Sequence, residues 1–281
     1  MVFRKMVPKM IVFESESDFI DNCSNKDITK ECFVIHDYCH SWELFEIGNF
    51  ACLNERYGRE NIFIEEGINK LNKKEVTVSD YISKVLSGER KMGNWSWQPH
   101  LTNADSLQNS YKIPEAVTLN SIEKSLVGEL VLAPWILMSS PETLTTMHKD
   151  MLSVNGVVGQ LQGVKEFTLV APQYDLEEGR FYSSHELELL GIPFESVVLQ
   201  SGDFLYFPMN WWHQAKTVEC SVTFIHSTVN SYNLTAFLDD SISQMPSYIQ
   251  RIQLAAKKRN YFGSRVKWLC NGFRLFGRDN A

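Results

Sequence analysis

Two stretches constrain this chain more than anything else in it: TTMHKDMLSVNGVVGQLQGVKEFTLVAP at 145–172 and GDFLYFPMNWWH at 202–213. His148 and Asp150 stand two apart in an extended setting, and alternate residues of a strand share a face, so both side chains point the same way. The second stretch opens on a Gly-Asp turn, runs on as an apolar strand and ends at His213. Two neutral imidazoles and one carboxylate on one side of an ion form a facial triad that leaves coordination positions open on non-haem Fe(II). A lone His-x-Asp is common on any surface. Its weight here comes from its company: Gly202-Asp203, the apolar FLYF, Pro208, Trp211-Trp212-His213, and a lysine heading the strand between the two stretches.

The rest of the composition suits a packed enzyme-sized domain. With 281 residues, 44% of them hydrophobic, and seven tryptophans, the chain can bury a sizeable core and is not disordered. Its six cysteines show no C-x-x-C spacing, which argues against a structural zinc site and suits a reducing compartment. The opening apolar run is too short and interrupted for a signal peptide, and no stretch reaches the ~18 apolar residues of a membrane span. A cytoplasmic protein is expected. Charge is uneven: residues 241–281 carry eight Lys or Arg against one acid, so a −7 chain has a body of −14 and a tail of +7.

In chain order, residues 1–31 offer little beyond an acidic patch. A short buried strand is expected at 33–36, a helix at 49–57 and a strand at 61–65. VTVSDYISKVLSG at 76–88 reads as an amphipathic helix with Ser79 as N-cap and Gly88 as its stop. In NWSWQPHL, alternation puts Trp95 and Trp97 on one face and Ser96 and Gln98 on the other; packing of a core face is the competing reading for the tryptophans. PWILM at 134–138 reads as a buried strand, and 159–172 as two strands or one bent at Gly163. Residues 173–195 form a long acidic insertion, long enough to serve as a lid; within it Ser183 or Ser184 should cap a helix carrying His185, a surface residue. Strands at 197–200 and 204–207 are expected to pair as a hairpin, 221–225 to close the barrel, and the pattern beyond Leu234 is helical.

These motifs resemble the JmjC-related, cupin-like 2-oxoglutarate oxygenases, which include asparaginyl hydroxylases. The likeness rests on His148, Asp150, Asn155, Gly163, Lys165, Pro172, Gly202, Asp203, Pro208, Trp211, Trp212 and His213, and covers at least residues 135–226. The interval from His148 to Lys165 is about two residues longer than the family's, with Asn155 displaced by one.

The resemblance implies a mainly β fold with helical additions, a double-stranded β-helix of the cupin or jelly-roll type, occupying 1–233, followed by C-terminal helices at 234–281. It implies Fe(II) bound by His148, Asp150 and His213, with 2-oxoglutarate and O2 as cosubstrates. Lys165 would neutralise the far carboxylate of the oxoacid, since a buried carboxylate without a partner is costly, while Thr145 and Asn155 would assist. Gln98, Trp97 and Trp212 are the candidate substrate contacts. The reaction implied is hydroxylation of a C–H bond on a protein side chain or small molecule, with N-demethylation less favoured. A cupin that binds metal or ligand without turnover is the alternative. For the basic C-terminal region a homodimer interface is favoured over an anionic membrane surface, and nucleic acid is the weakest reading.

Overall fold

A computed structural model describes residues 9–23, 28–66, 72–89, 95–97, 110–119, 132 and 134–244. Its strands are β1 (Ile11–Phe13), β2 (Phe33–Ile35), β3 (Asn61–Glu66), β4 (Asn72–Thr77), β5 (Trp95–Trp97), β6 (Trp135–Ser139) and β7 (Leu144–His148), then β8 (Asn155–Gln162), β9 (Lys165–Val170), β10 (Phe194–Leu199), β11 (Phe204–Phe207), β12 (Trp212–Thr217) and β13 (Ser221–Thr228). The α-helices are α1 (Glu16–Cys23), α2 (Glu43–Ile47), α3 (Phe50–Tyr57), α4 (Val78–Ser87), α5 (Ser184–Leu189) and α6 (Leu234–Gln244). A larger sheet runs β1-β2-β11-β8-β13-β6-β5, a smaller one β10-β9-β12-β7, and β3 pairs with β4. From β6 onward the chain passes back and forth between the two main sheets, which makes their shared core a double-stranded β-helix.

Two hydrophobic clusters explain why the run FLYF is apolar at every position. Leu205 and Phe207 face inward, packing with Val34 and Val158 against Phe167, Leu169, Leu199 and Ala215 of the smaller sheet. Phe204 and Tyr206 face the other way, into a cluster with Phe33, Trp42, Leu53, Tyr81 and Phe224 beneath the helices. A strand covered on both faces reads as a continuous hydrophobic run instead of an alternating one.

Local signals place most of the additions. Asn49 caps α3 by accepting from Cys52 N at 3.0 Å, and Ser183 caps α5 in a full capping box with Glu186. The cap of α4 differs from expectation: Thr77, in extended conformation, accepts from Asp80 N at 3.0 Å, which leaves Ser79 inside the first turn. Gly163, at φ +73°, turns the chain from β8 in the larger sheet to β9 in the smaller. An alanine there would drive its Cβ to 2.1 Å from the Cys220 carbonyl oxygen.

The expected hairpin at 197–207 does not form. β10 pairs with β9, whereas β11 pairs with β8 and β2, because the Gly202-Asp203 turn carries the chain across the barrel. Gly202 has φ +104°, and Asp203 anchors the crossing by accepting from Gln200 N at 2.8 Å and bonding His36 Nδ1 at 2.9 Å. His213 accordingly lies near the start of β12, not at the end of the strand before it. β1 and α1 fall in a stretch with little sequence signal. No helix among the described residues is long and apolar enough to cross a membrane.

Candidate metal centre

The smaller sheet brings the three predicted ligands together. His213 on β12 stands in register with His148, the last residue of β7, and their ring centroids are 4.1 Å apart. Asp150 follows two residues later, and its Oδ1 lies 3.7 Å from His213 Nε2. One ligand atom from each of the three residues falls within 4.8 Å of the others. Backbone carbonyls fix the tautomers: His148 Nδ1 is 2.8 Å from Thr146 O, and His213 Nδ1 is 3.1 Å from Trp211 O. A carbonyl can only accept, so each Nδ1 carries the proton and each Nε2 offers its lone pair. Burial above all, then the neighbouring His148, pushes the His213 imidazolium down to about 4, with Asp150 opposing, so the ring is neutral near pH 7. Two neutral imidazoles and a carboxylate suit a divalent ion of the Fe(II) type and leave room for further ligands.

Phe207 packs against the His213 ring, tilted by 38° with centroids 4.5 Å apart, and it can do so because residue 156 is glycine. A Cβ on Gly156 would sit 2.1 Å from Phe207 Cζ. Neither residue stood out as part of a site in the sequence. The apolar run and the Asn-Gly pair were their sole trace.

Lys165 opens β9 on the inward face and is 1% exposed. Burial pushes its ammonium down to about 7, and among the described residues no acid pairs with it. A buried cation on the inner face that also carries His213, four residues along β12, and with no carboxylate of its own among the described residues, fits the far carboxylate of a bound oxoacid. Thr145 pairs with Ala215, so it shares the inner face with the inter-sheet cluster. Asn155 is fully buried, but alternation sets it on the face of Val157, under the helices, while Gly156 and Val158 face inward. Its Oδ1 accepts from Met209 N at 3.0 Å, which anchors the loop that presents His213.

Trp212 turns to the face opposite His213. It packs with Met147, Val170, Tyr182 and Leu187, and donates from Nε1 to Tyr174 O at 2.8 Å. Lys149 lies over its ring at 4.5 Å and donates to Pro172 O at 3.2 Å. The insertion after β9 is therefore strapped to the back of the strands that carry the triad. It also covers the free edge of β7, since Met147 N donates to Arg180 O and Gly179 N to Met147 O. His185 is exposed on α5. Trp97, on the edge strand β5, pairs through its backbone with Ile136 of β6, and Gln98 lies outside the described residues.

A double-stranded β-helix with an inward-facing His-x-Asp and distal His defines a class of fold and site: a cupin-type barrel carrying a facial set of two imidazoles and one carboxylate. Residues 121–235 match the family model described as the JmjC domain. It is 34% identical over 113 residues to "Ribosomal oxygenase 2" of Rattus norvegicus, covering 39% of this chain and 23% of the relative. It is 37% identical over 122 residues to the Bos taurus protein of the same name, covering 42% and 25%. To "Bifunctional lysine-specific demethylase and histidyl-hydroxylase NO66" of Drosophila persimilis it is 31% identical over 103 residues, covering 37% and 14%. The chain thus spans a quarter or less of the length of these curated relatives.

Proposed function

We propose that this protein is an Fe(II)- and 2-oxoglutarate-dependent dioxygenase that hydroxylates a C–H bond of a protein side chain. The observation that carries the proposal is the meeting of His148, Asp150 and His213 within 4.8 Å, on the same inner face as a buried lysine that has no acidic partner among the described residues. His148 and His213 would hold the metal through Nε2 and Asp150 through a carboxylate oxygen. Bound there with 2-oxoglutarate and O2, Fe(II) supplies an oxidant able to break a C–H bond, with succinate and CO2 as coproducts. Lys165 neutralises the distal carboxylate of the cosubstrate, and Thr145 on the same inner face assists. Phe207 packs against the His213 ring and limits water and ring rotation around that ligand. The names of the relatives, ribosomal oxygenase and histidyl-hydroxylase, favour a protein substrate over a small molecule.

The free thiols, including buried Cys32 and Cys39, support a reducing compartment such as the cytoplasm. For residues 234–281 we retain a homodimer interface as the reading, supported by apolar residues interleaved with the basic ones. Removal of 245–281 should convert a dimer into a monomer; a surviving dimer that has lost affinity for anionic vesicles would favour the membrane surface instead.

The decisive experiment adds Fe(II) and 2-oxoglutarate to the protein without oxygen. A visible metal-to-ligand charge-transfer band, abolished by His148→Ala, is expected, and admission of oxygen should release succinate and add one oxygen atom to a polypeptide substrate. Ligand binding without succinate release would favour a non-catalytic cupin.

A further inference from the structure

The segment that carries Asp150 is held by a helix far along the chain. Asp150 occupies the cap position of the short turn Met151–Ser153, with extended dihedrals of φ −65° and ψ 141°. An aspartate so placed ordinarily accepts a hydrogen bond from the backbone N–H two or three residues on. This one accepts none, and its Oδ1 lies instead 3.7 Å from His213 Nε2. The turn itself is unusual: Leu152 has φ +62° and Ser153 φ +50°, and a left-handed Leu152 takes the Ser153 N–H, a usual partner of such a carboxylate, out of its helical direction.

Two successive non-glycine residues in the left-handed region do not persist without outside restraint. Three restraints come from α6 and its approach. The Ser153 hydroxyl donates to Asp240 Oδ2 at 2.6 Å, a short bond to a charged acceptor. Asn233 Nδ2 donates to Ser153 O at 2.8 Å. The Leu152 side chain packs against a cluster containing Leu234, Phe237 and Leu238.

We propose that Asp240 is a positioning residue for the metal centre: through Ser153 it holds the turn left-handed, and so keeps the Asp150 carboxylate off its own backbone and free for the ion. The inference rests on the metal-binding reading above and adds to it a residue that never touches the metal. Without the Asp240 carboxylate the turn relaxes toward a right-handed form whose N–H groups compete for Asp150.

The test is Mn(II) binding to the metal-free full chain, read by calorimetry or electron paramagnetic resonance, together with the melting temperature without metal. Asp240→Ala should weaken Mn(II) binding about ten- to hundredfold, the range of lost outer-shell support. Adding Ser153→Gly to that variant should return the affinity to within about threefold of the wild type, because glycine takes a positive φ without steric cost. If Asp240→Ala fails to fold, Ser153→Ala, which breaks the same bond from the other side, should show the same loss and Ser153→Gly should not. Wild-type affinity in Asp240→Ala, whatever its melting temperature, overturns the proposal. So does a loss that glycine leaves unrestored, which would mean general loosening. Wild-type protein that binds no Mn(II) would instead remove the metal-site reading, and this inference with it.

Discussion

Lys165 and Thr217 face each other in register across β9 and β12, each 1% exposed and turned into the space between the sheets. Among the described residues, buried Thr217 Oγ1 has no hydrogen-bond partner and Lys165 has no acidic one. A lone buried ammonium and an unsatisfied hydroxyl both cost the empty protein stability, and both are relieved by one incoming carboxylate. This gives the pair opposite effects on stability and on binding.

Lys165→Met should therefore stabilise the ligand-free protein while weakening 2-oxoglutarate at least about a hundredfold, the scale of a broken buried ion pair. Thr217→Val should weaken it about tenfold, as for one hydrogen bond to a charged group. Neither change should affect 2-oxobutyrate, which has the keto acid but no distal carboxylate. Anaerobic calorimetry in the presence of metal measures all three. Equal losses for both oxoacids would place Lys165 elsewhere in the chemistry.

The same lysine imposes a pH dependence. Its folded value of about 7 lies below its ordinary 10.5, so between those values the unfolded chain holds the extra proton. Stability of the ligand-free protein should rise as pH is raised through that window. 2-Oxoglutarate binding should weaken above pH 7 by up to about tenfold per unit, because the ammonium must be regained. Urea midpoints and calorimetry from pH 7 to 9 check both slopes, and Lys165→Met should flatten both.

His226 provides a second, independent titration. It is 5% exposed beside Tyr111 and Phe224, and burial pushes its imidazolium from 6.5 down to about 4. The unfolded chain takes up a proton first as pH falls, so the stabilising contribution is complete above about 6.5 and is lost down to about 4. Between pH 7 and 5 the loss should be about 2 kcal/mol at most. Denaturant unfolding of metal-saturated protein at the two pH values, compared with His226→Phe, isolates it; an unchanged difference in the variant would assign the slope to other groups.

The three candidate ligands could be singled out in the sequence because their signals are local: a His-x-Asp needs only extended backbone, and a Gly-Asp, apolar, Trp-Trp-His sequence carries its own turn and strand. What was not legible depends on parity and on long-range pairing. A shift of one residue reverses the face of every side chain in a strand. That is why Asn155, displaced by one from the family pattern, lies under the helices, and why Trp212 points away from the site while His213 points into it. The Ser-Gly-Asp turn reads alike whether it closes a hairpin or crosses between sheets. Only the partners of β10 and β11, set by the apolar faces each must bury, decide between them. The Ser153 to Asp240 bond spans most of a hundred residues and has no signature in either segment alone.

Gly156 supports His213 through Phe207, so Gly156→Ala should act at the metal although the glycine is not a ligand. The new Cβ would lie 2.1 Å from Phe207 Cζ, and the ring, whose centroid is 4.5 Å from that of His213, is expected to yield by pressing on the imidazole. Overpacking of this kind costs about 1–3 kcal/mol. A lower melting temperature together with a weakened or shifted charge-transfer band is expected; a lower melting temperature with an unaltered band would show that Phe207 moves away without disturbing the ligand.

Gln214 latches the insertion to the triad's own strand. From the back of β12 its Oε1 accepts from Tyr182 N at 2.9 Å and its Nε2 donates to Tyr182 O at 2.6 Å, so one side chain satisfies both backbone groups of a buried residue. Gln214→Ala leaves those two groups unpaired, at a cost of about 1–3 kcal/mol each if they stay buried. The less costly outcome is for Tyr182 to move toward water, taking with it the segment that covers the edge of β7. Hydrogen exchange should therefore rise across 173–193 and at Met147, whose N–H is held by Arg180 O, while the inter-sheet core around Leu169 and Leu205 stays protected. Exchange that rises uniformly across both sheets would mean that Gln214 supports the barrel as a whole, and that the insertion does not open as a separate unit.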